Sequence, residues 1–442
     1  MTPTASPSSR PLQTRILLLL LLAYIFNFLD RQIVGILKIP IKTELGLTDT
    51  QLGLMGGIAF ASVYSTLAIP IARYADRTGR ARVIGVAVAV WSLFTAVCGL
   101  AGNFVQLFLA RMGVGVGEAG GVAPSYALIA QHFEPKHRAR ALAIFSLGIP
   151  IGSALGLFFG GWIAEAIDWR TAFFAIGIAG LPVAWLIATK IPDAPDPASA
   201  ATMADGGPGF METIRDLARK PSFWLLSFGA AFGSVGGYGL GFWLPSYFSE
   251  ALGLSLGNIG TYFGSIVLVG GMAGIFLGGV IADRLGAASP RAYALTPAIA
   301  FLLTAPAYAA AMASQSGVAA WLLFALAYAF SLAWLGPIVT AVQNLVEPAR
   351  RATASASFLL INNLIGIGFG TFIFGFMGDL LRPAYGDQAM RYSILYGLGF
   401  YVLAALLCLI AARRLPHDTA VGRAAEASID PEPRQDGATT TR

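Results

Sequence analysis

The sequence predicts an all-α integral membrane fold: twelve transmembrane helices in two pseudo-symmetric six-helix bundles. Of the 442 residues, 56% are hydrophobic and only 12% charged, about half the roughly 25% charge of a soluble domain. The apolar residues gather in twelve runs, each near the roughly 20 residues that cross a bilayer. One short pattern, small-x-x-x-Asp-Arg-x-Gly, recurs at equivalent places in two sets of six runs.

The runs lie at 15–38, 51–72, 83–101, 105–130, 140–163, 171–190, 221–248, 258–281, 291–313, 318–345, 353–380 and 392–412. The first, with Arg10 and Arg15 before it, could imitate a signal peptide. Its apolar character resumes after Asp30-Arg31 and no small-residue cleavage site follows, so it reads as a retained membrane helix. Pro297 and Pro306 interrupt the ninth run and weaken its helical signal. Lys and Arg in short loops set orientation. With the N-terminus inside, the cytoplasmic side holds Arg73, Arg77, Arg80, Arg82, Lys136, Arg138 and Arg140 among many others. The outer side keeps Lys38, Lys42, Arg170, Arg382 and Arg391. The net charge of +6 is therefore topological and calls for no nucleic-acid partner. These readings divide the chain into a cytoplasmic tail (1–14), an N-terminal bundle (15–190), a cytoplasmic linker (191–220), a C-terminal bundle (221–412) and a polar, disordered cytoplasmic tail (413–442). The end of the linker, from Phe210 to Lys220, reads either as an amphipathic helix on the membrane surface or as a solvated segment.

The repeated pattern occurs as Ala72-Arg-Tyr-Ala-Asp76-Arg77-Thr-Gly79-Arg80 after the second run. It returns as Gly279-Val-Ile-Ala-Asp283-Arg284-Leu-Gly286 after the eighth. The small residue permits close helix approach and the Gly permits a tight turn. The Asp can sit at the positive end of a neighbouring helix. This predicts a gate latch formed by Asp76, Arg77, Gly79, Arg80, Asp283 and Arg284. Plain positive-inside loops would explain the arginines but not the Asp and Gly at fixed spacing.

With this repeat the chain resembles the major facilitator superfamily from about residue 15 to 412. Further similar pieces are Asp168-Trp169-Arg170 and Gly148-Ile-Pro150-Ile-Gly152. The first loop departs from the family pattern in having Ala72 for the usual Gly and Ala81 for a usual base. The resemblance implies two bundles that rock around a central site near the membrane midplane.

Ionisable groups inside a membrane are costly, about 2.5–3.5 kcal/mol each on insertion scales. The N-terminal half carries four: Asp30 and Arg31 in the first run, Arg111 and Glu118 in the fourth. Arg111 and Glu118 are two turns apart and share a face. From a rise of about 1.5 Å per residue, Asp30 and Arg111 fall at similar depth, with Glu118 roughly 10 Å deeper. Asp30 is expected to pair with Arg111. Asp30, Glu118 and Arg111 then become candidates for proton coupling, because a carboxylate's proton affinity changes as an arginine pair breaks and reforms. The alternative is a structural ion pair that fixes helix packing. Arg31 faces the expected cavity, and Arg31 and Asn27 are candidates for substrate binding. The C-terminal half offers Tyr238, Trp243, Trp334, Asn362 and Asn363 as substrate-facing groups, although each could equally be ordinary packing or an interfacial anchor.

The stretch Asn27-Phe-Leu-Asp30-Arg31 with Arg111 and Glu118 resembles the Spinster-like branch, whose members carry an acidic-basic pair in the first helix and a glutamate in the fourth. Animal members are associated with lysolipid and sphingosine-1-phosphate export. An organic-anion symporter branch also carries an Asp-Arg pair in its first helix.

No lysine follows a glycine, so the phosphate-cradling loop of an ATP-driven pump is missing. The three histidines lie outside the apolar runs, and Cys98 and Cys408 lie singly inside them, so no metal cluster is expected. The expected protein is not an enzyme and needs no cofactor. It is a monomeric, multi-pass cell-membrane transporter with both termini cytoplasmic. It moves a small organic anion or an amphipathic lysolipid-like substrate by alternating access, coupled to protons and surrounded by membrane lipids. The competing readings are a non-transporting sensor or lipid scramblase on the same scaffold, or an organic-anion:proton symporter. Finally, Gly148, Gly152, Gly156 and Gly160 line one face of the fifth run, and Gly270, Gly274 and Gly278 one face of the eighth. In the resembled superfamily the fifth and eighth helices face each other across the two bundles, so the resemblance implies that these bare faces meet as a sliding seam between the halves; the alternative is that each packs inside its own half.

Overall fold

The structure is a computed structural model describing residues 10–192, 210–287, 289–347 and 350–419. The first nine residues, most of the linker (193–209) and the tail from 420 onward lie outside the described residues, as do the expectations made for them. Within the described residues the first helix already starts at Arg10 and the last runs to Asp418, so the expected tails are helical over 10–14 and 413–418. Among the described residues, ten helical stretches are long and apolar enough to cross a membrane. The last of these, Thr353–Asp418, contains two passes, Arg351–Tyr385 and a second pass built from Ala389–Gly397 and Gly399–Asp418. One further pass is divided into Phe104–Glu118 and Val122–His132. The fold is therefore the expected twelve-helix, all-α membrane architecture.

The other passes in chain order are Arg10–Leu45, Asp49–Thr78, Arg80–Cys98, Arg140–Ala166, Trp169–Lys190, Pro221–Leu252, Leu256–Gly286, Ala292–Ala313 and Gly317–Asn344. They are numbered here as spans 1 to 12 along the chain. Both prolines of span 9 sit inside one continuous helix. Neighbouring helices in a membrane bundle can re-satisfy the backbone groups that proline frees. Polar caps start several passes: Asn103 accepts from Gln106 N at 3.0 Å, Asp168 from Thr171 N at 2.6 Å and Thr48 from Gln51 N at 3.2 Å, satisfying amides that have no partner within the helix. Span 7 stops at Gly253, whose φ of 63° suits glycine.

The linker ends in a helix, Phe210–Ala218, which buries Thr213 and Leu217. Glu212 reaches Arg350 at 2.8 Å and Lys220 donates to Leu345 O at 2.5 Å, tying the helix to the loop before span 11.

Spans 1 to 6 pack among themselves, as do spans 7 to 12, and the halves meet through spans 5 and 8, 2 and 11, and 1 and 7. The glycine seam is corrected by the structure. Gly148, Gly152 and Gly156 lie against Tyr24, Ile25 and Leu29 of span 1, and Gly270, Gly274 and Gly278 against Ala325, Ala329 and Ala333 of span 10. Each bare face packs within its own half. Spans 5 and 8 do face each other, but through Pro150, Ala154, Leu157 and Gly161 against Gly271, Gly264, Gly260 and Leu256. Residue 154 is displaced about 200° around the helix from residue 152, so the seam uses the opposite face.

The polar contacts between halves gather at the side away from the first and last helix ends, called the far side below. There Asp379 of span 11 accepts from Thr50 N at 2.7 Å, Thr50 Oγ1 at 2.6 Å and Asp49 N at 3.2 Å, at the start of span 2. Glu165 of span 5 accepts from Gly257 N at the start of span 8. Asp49 itself is 1% exposed and is held by Lys42 at 2.5 Å and by Arg382 of the other half at 2.8 Å. Deeper, Thr371 Oγ1 donates to Gly53 O at 2.7 Å.

Candidate functional site

Span 4 creates the site by breaking. Gly113, Gly115 and Gly117 let it sit against Phe94, Phe60 and Trp91, with a Cβ on Gly115 falling 2.9 Å from Phe60 O. The helix then stops at Glu118 and restarts at Val122 after Ala119-Gly120-Gly121. Glu118 therefore stands at the negative end of a half-helix, fully buried. A carboxylate there needs a strong positive partner.

That partner is Arg31. Its Nε lies 2.6 Å from Glu118 Oε2. The guanidinium also sits among three aromatic rings, 4.8 Å from Phe60, 4.9 Å from Tyr64 and 5.1 Å from Phe28. Such faces attract a cation in a site with little water. The pairing is incomplete, because Arg31 Nη2 and Glu118 Oε1 are both buried without a hydrogen-bond partner. Tyr238 lies close enough for electrostatic interaction with Arg31, from span 7 of the other half.

The expected Asp30–Arg111 pair does not form. Adjacent helical residues point about 100° apart, so while Arg31 turns to span 4, Asp30 turns to span 3. Its Oδ2 accepts from Thr95 Oγ1 at 2.5 Å, and its Oδ1 is left without a partner. Arg111, 2% exposed, has unpartnered Nε and Nη1 and lies 5.9 Å from the Phe60 ring. Asn27 is buried with neither side-chain polar atom bonded. One membrane-embedded cluster thus holds two acids, two bases and an amide, joined by a single ion pair.

The C-terminal candidates divide. Asn362 accepts from Ser234 Oγ at 2.9 Å and donates to Asn363 Oδ1 at 3.4 Å. Trp334 marks the break within span 10 and packs edge-on against Phe358. Trp243 is buried in the far-side contact, donating to Thr371 O at 2.8 Å, and faces Lys38 rather than the Arg31 cluster.

In the repeated loops, Asp76 pairs with Arg80 at 2.8 Å, and Arg80 reaches Gln131 of span 4 at 3.0 Å. Gly79 has φ 123°, the turn conformation its position requires. Arg77, Asp283 and Arg284 are exposed. Gly286 remains helical and its bare face meets Tyr293, so the two copies differ in local structure.

Sequence reading missed the three-ring surround of Arg31, the Thr95 partner of Asp30 and the burial of Lys38. Thr95 had a faint signal: Ser92 and Thr95 are polar and one turn apart in an otherwise apolar run. The far-side carboxylates Glu165 and Asp379 left none.

The sequence profile of the Major Facilitator Superfamily matches residues 20–371. The chain belongs to that superfamily. This facilitator is 33% identical over 383 residues to an MFS-type efflux pump of Mycolicibacterium smegmatis, covering 86% of this chain and 88% of the relative. It is 29% identical over 424 residues to mouse protein spinster homolog 1, covering 88% and 78%. The crystal structure of a bacterial homologue of the human lysosomal transporter Spinster, inward-facing and unoccupied, superposes with a TM-score of 0.81 at 30% identity. The match covers 93% of this chain and 99% of the other. The facilitator is thus a Spinster-like, multi-pass membrane transporter rather than an enzyme.

Proposed function

We propose that this transporter works by alternating access, uses protons as the coupling ion, and carries a small organic anion or an amphipathic lysolipid-like solute. The observation that carries this reading is the incomplete pair at 2.6 Å between Arg31, partly buried, and Glu118, fully buried. An anionic group on the solute can take the free Nη2 of Arg31, since guanidinium binds carboxylate or phosphate through two donors. As Arg31 turns to the solute, Glu118 loses its counter-charge at a helix end of the same sign and takes a proton. Asp30 and Arg111 complete the coupling set. Asn27, Tyr238, Trp334, Asn362 and Asn363 contribute the polar and aromatic walls. The similarity to an efflux pump favours export.

In this reading the chain is a monomer in the cell membrane, with both termini cytoplasmic, a bundle at 15–190, a linker at 191–220 and a second bundle at 221–412. The far side is then the outer side, and the polar contacts there describe a closed outer gate. Asp76, Arg77, Gly79, Arg80, Asp283 and Arg284 form the inner latch of the opposite state.

The test is reconstitution in proteoliposomes. An imposed pH gradient should drive solute accumulation against its concentration gradient. A scramblase or sensor cannot do this, so pH-independent equilibration alone would overturn the proposal.

A further inference from the structure

Seven residues beyond the partly buried Arg31, span 1 carries a second cation, this one fully buried. Lys38 is 1% exposed. Its Nζ donates to Gly35 O at 2.7 Å and stands 5.0 Å and 5.1 Å from the ring centroids of Phe242 and Trp243. Among the described residues no carboxylate comes within ion-pair distance of it. Asp49 and Glu250 act on it only at longer range, and both oxygens of Asp49 are already held by Lys42 and Arg382. A buried ammonium without a counter-ion is unfavourable unless other groups replace its hydration. Here the replacements are one carbonyl from its own helix and two aromatic faces.

Those faces belong to span 7, in the other half. Any motion that parts the halves on the far side removes both rings from Lys38 and leaves it with the Gly35 carbonyl alone. The cation would then stand at the mouth of the opened cavity, on the same face of span 1 as Arg31 and about 10 Å from it along the axis. Two cations two turns apart, each bordered by aromatic rings, form a ladder for a negatively charged group with an apolar body.

We propose that Lys38 is a second anion-binding site, holding the carboxylate or phosphate group of the solute while the far side is open and exchanging it with Arg31. Phe242 and Trp243 act as its lid, replacing the anion when the halves close. The inference rests on Arg31 being a contact for an anionic solute.

The experiment uses the full chain in nanodiscs, with spin labels at Ile167 and Leu252, which are exposed on the far side of opposite halves. Oleoyl lysophosphatidic acid and glycerol 3-phosphate serve as probes, with monoolein as the uncharged control. An anionic probe should raise the far-side-open population. Lys38→Met, which fills the slot between the rings without a charge, should raise the half-maximal probe concentration about tenfold, the loss expected of a hydrogen bond to a charged group. Lys38→Arg should keep most of the response. A response to glycerol 3-phosphate supports a water-soluble source of the anion, and a response to the lysolipid alone supports a lipid source. A Lys38→Met protein with the wild-type response, alongside an Arg31→Gln protein that has lost it, overturns the Lys38 site and leaves Arg31 standing. Loss of response in a folded Lys38→Arg protein also overturns it. No probe response in the wild type removes both readings.

Discussion

Glu165 and Asp379 occupy equivalent places in the two halves, near the far-side ends of spans 5 and 11, and each binds the start of a helix in the opposite half. Asp379 takes the free amides of Asp49 and Thr50 at the head of span 2, and Glu165 takes that of Gly257 at the head of span 8. The next amide of each helix is already capped internally, by Thr48 and Ser255. A carboxylate at a helix N-terminus contributes about 0.3–1 kcal/mol, and up to about 2 kcal/mol when partly buried.

The double variant Glu165→Gln with Asp379→Asn should therefore favour the far-side-open state. A combined loss of about 1–2 kcal/mol shifts the ratio of states roughly 5- to 30-fold. Spin-label distances between Ile167 and Leu252 would report it. Unchanged distances would reduce both contacts to incidental surface bonds.

Glu118→Gln should abolish pH-driven accumulation while leaving solute exchange measurable, because only the protonatable group is lost. Asp30→Asn should weaken the pH response as well. Full responses to an imposed pH gradient in both variants would show that the ion moves through other groups.

Arg31→Lys keeps the charge but loses the planar fork and its fit among Phe28, Phe60 and Tyr64. Solute affinity should fall about tenfold, as when a hydrogen bond to a charged group is lost. Equal affinity in binding measurements would assign Arg31 a purely electrostatic role.

Gly152→Ala and Gly274→Ala should both lower folded yield and thermal stability, by about 1–3 kcal/mol for an overpacked contact. In each case the new Cβ strikes a backbone carbonyl inside the same half, Ile25 O or Ala329 O. Stable protein with selectively blocked transport would instead favour a moving seam.

A pH effect on stability follows at Glu44, at the exposed far-side end of the 36-residue span 1 helix, which extends past the roughly 20 residues that cross a bilayer. Trp169 Nε1 donates to it at 2.6 Å and Arg170 Nη2 at 2.7 Å, and these bonds hold its carboxyl below the usual glutamate range. The folded value is depressed, so the contribution is complete above the ordinary glutamate value and fades as pH falls through the folded one. The side chain is 49% exposed, so the effect is small, as for exposed pairs generally. The Tm difference between wild type and Glu44→Gln should shrink on acidification. A difference independent of pH would attribute it to packing.

The sequence alone determined the twelve passes, the two halves and the four membrane-embedded charges, since these follow from local quantities: run length, the spacing of a repeated pattern, and ionisable residues where few are tolerated. It also placed Asp30, Arg31, Arg111 and Glu118 on two helices. What it could not decide was the pairing. The predicted depths matched Asp30 with Arg111, yet about 100° of helical rotation per residue sends Asp30 to Thr95 and gives Glu118 to Arg31. The glycine faces of spans 5 and 8 were equally visible, but their rotation within the bundle turned them toward spans 1 and 10. Lys38 read as an outer-loop cation, and only the approach of Phe242 and Trp243 from the other half buries it. Helix identity is written in composition and period. The rotation of each helix and the partner across the interface arise from packing among all twelve, and there the tertiary structure decided.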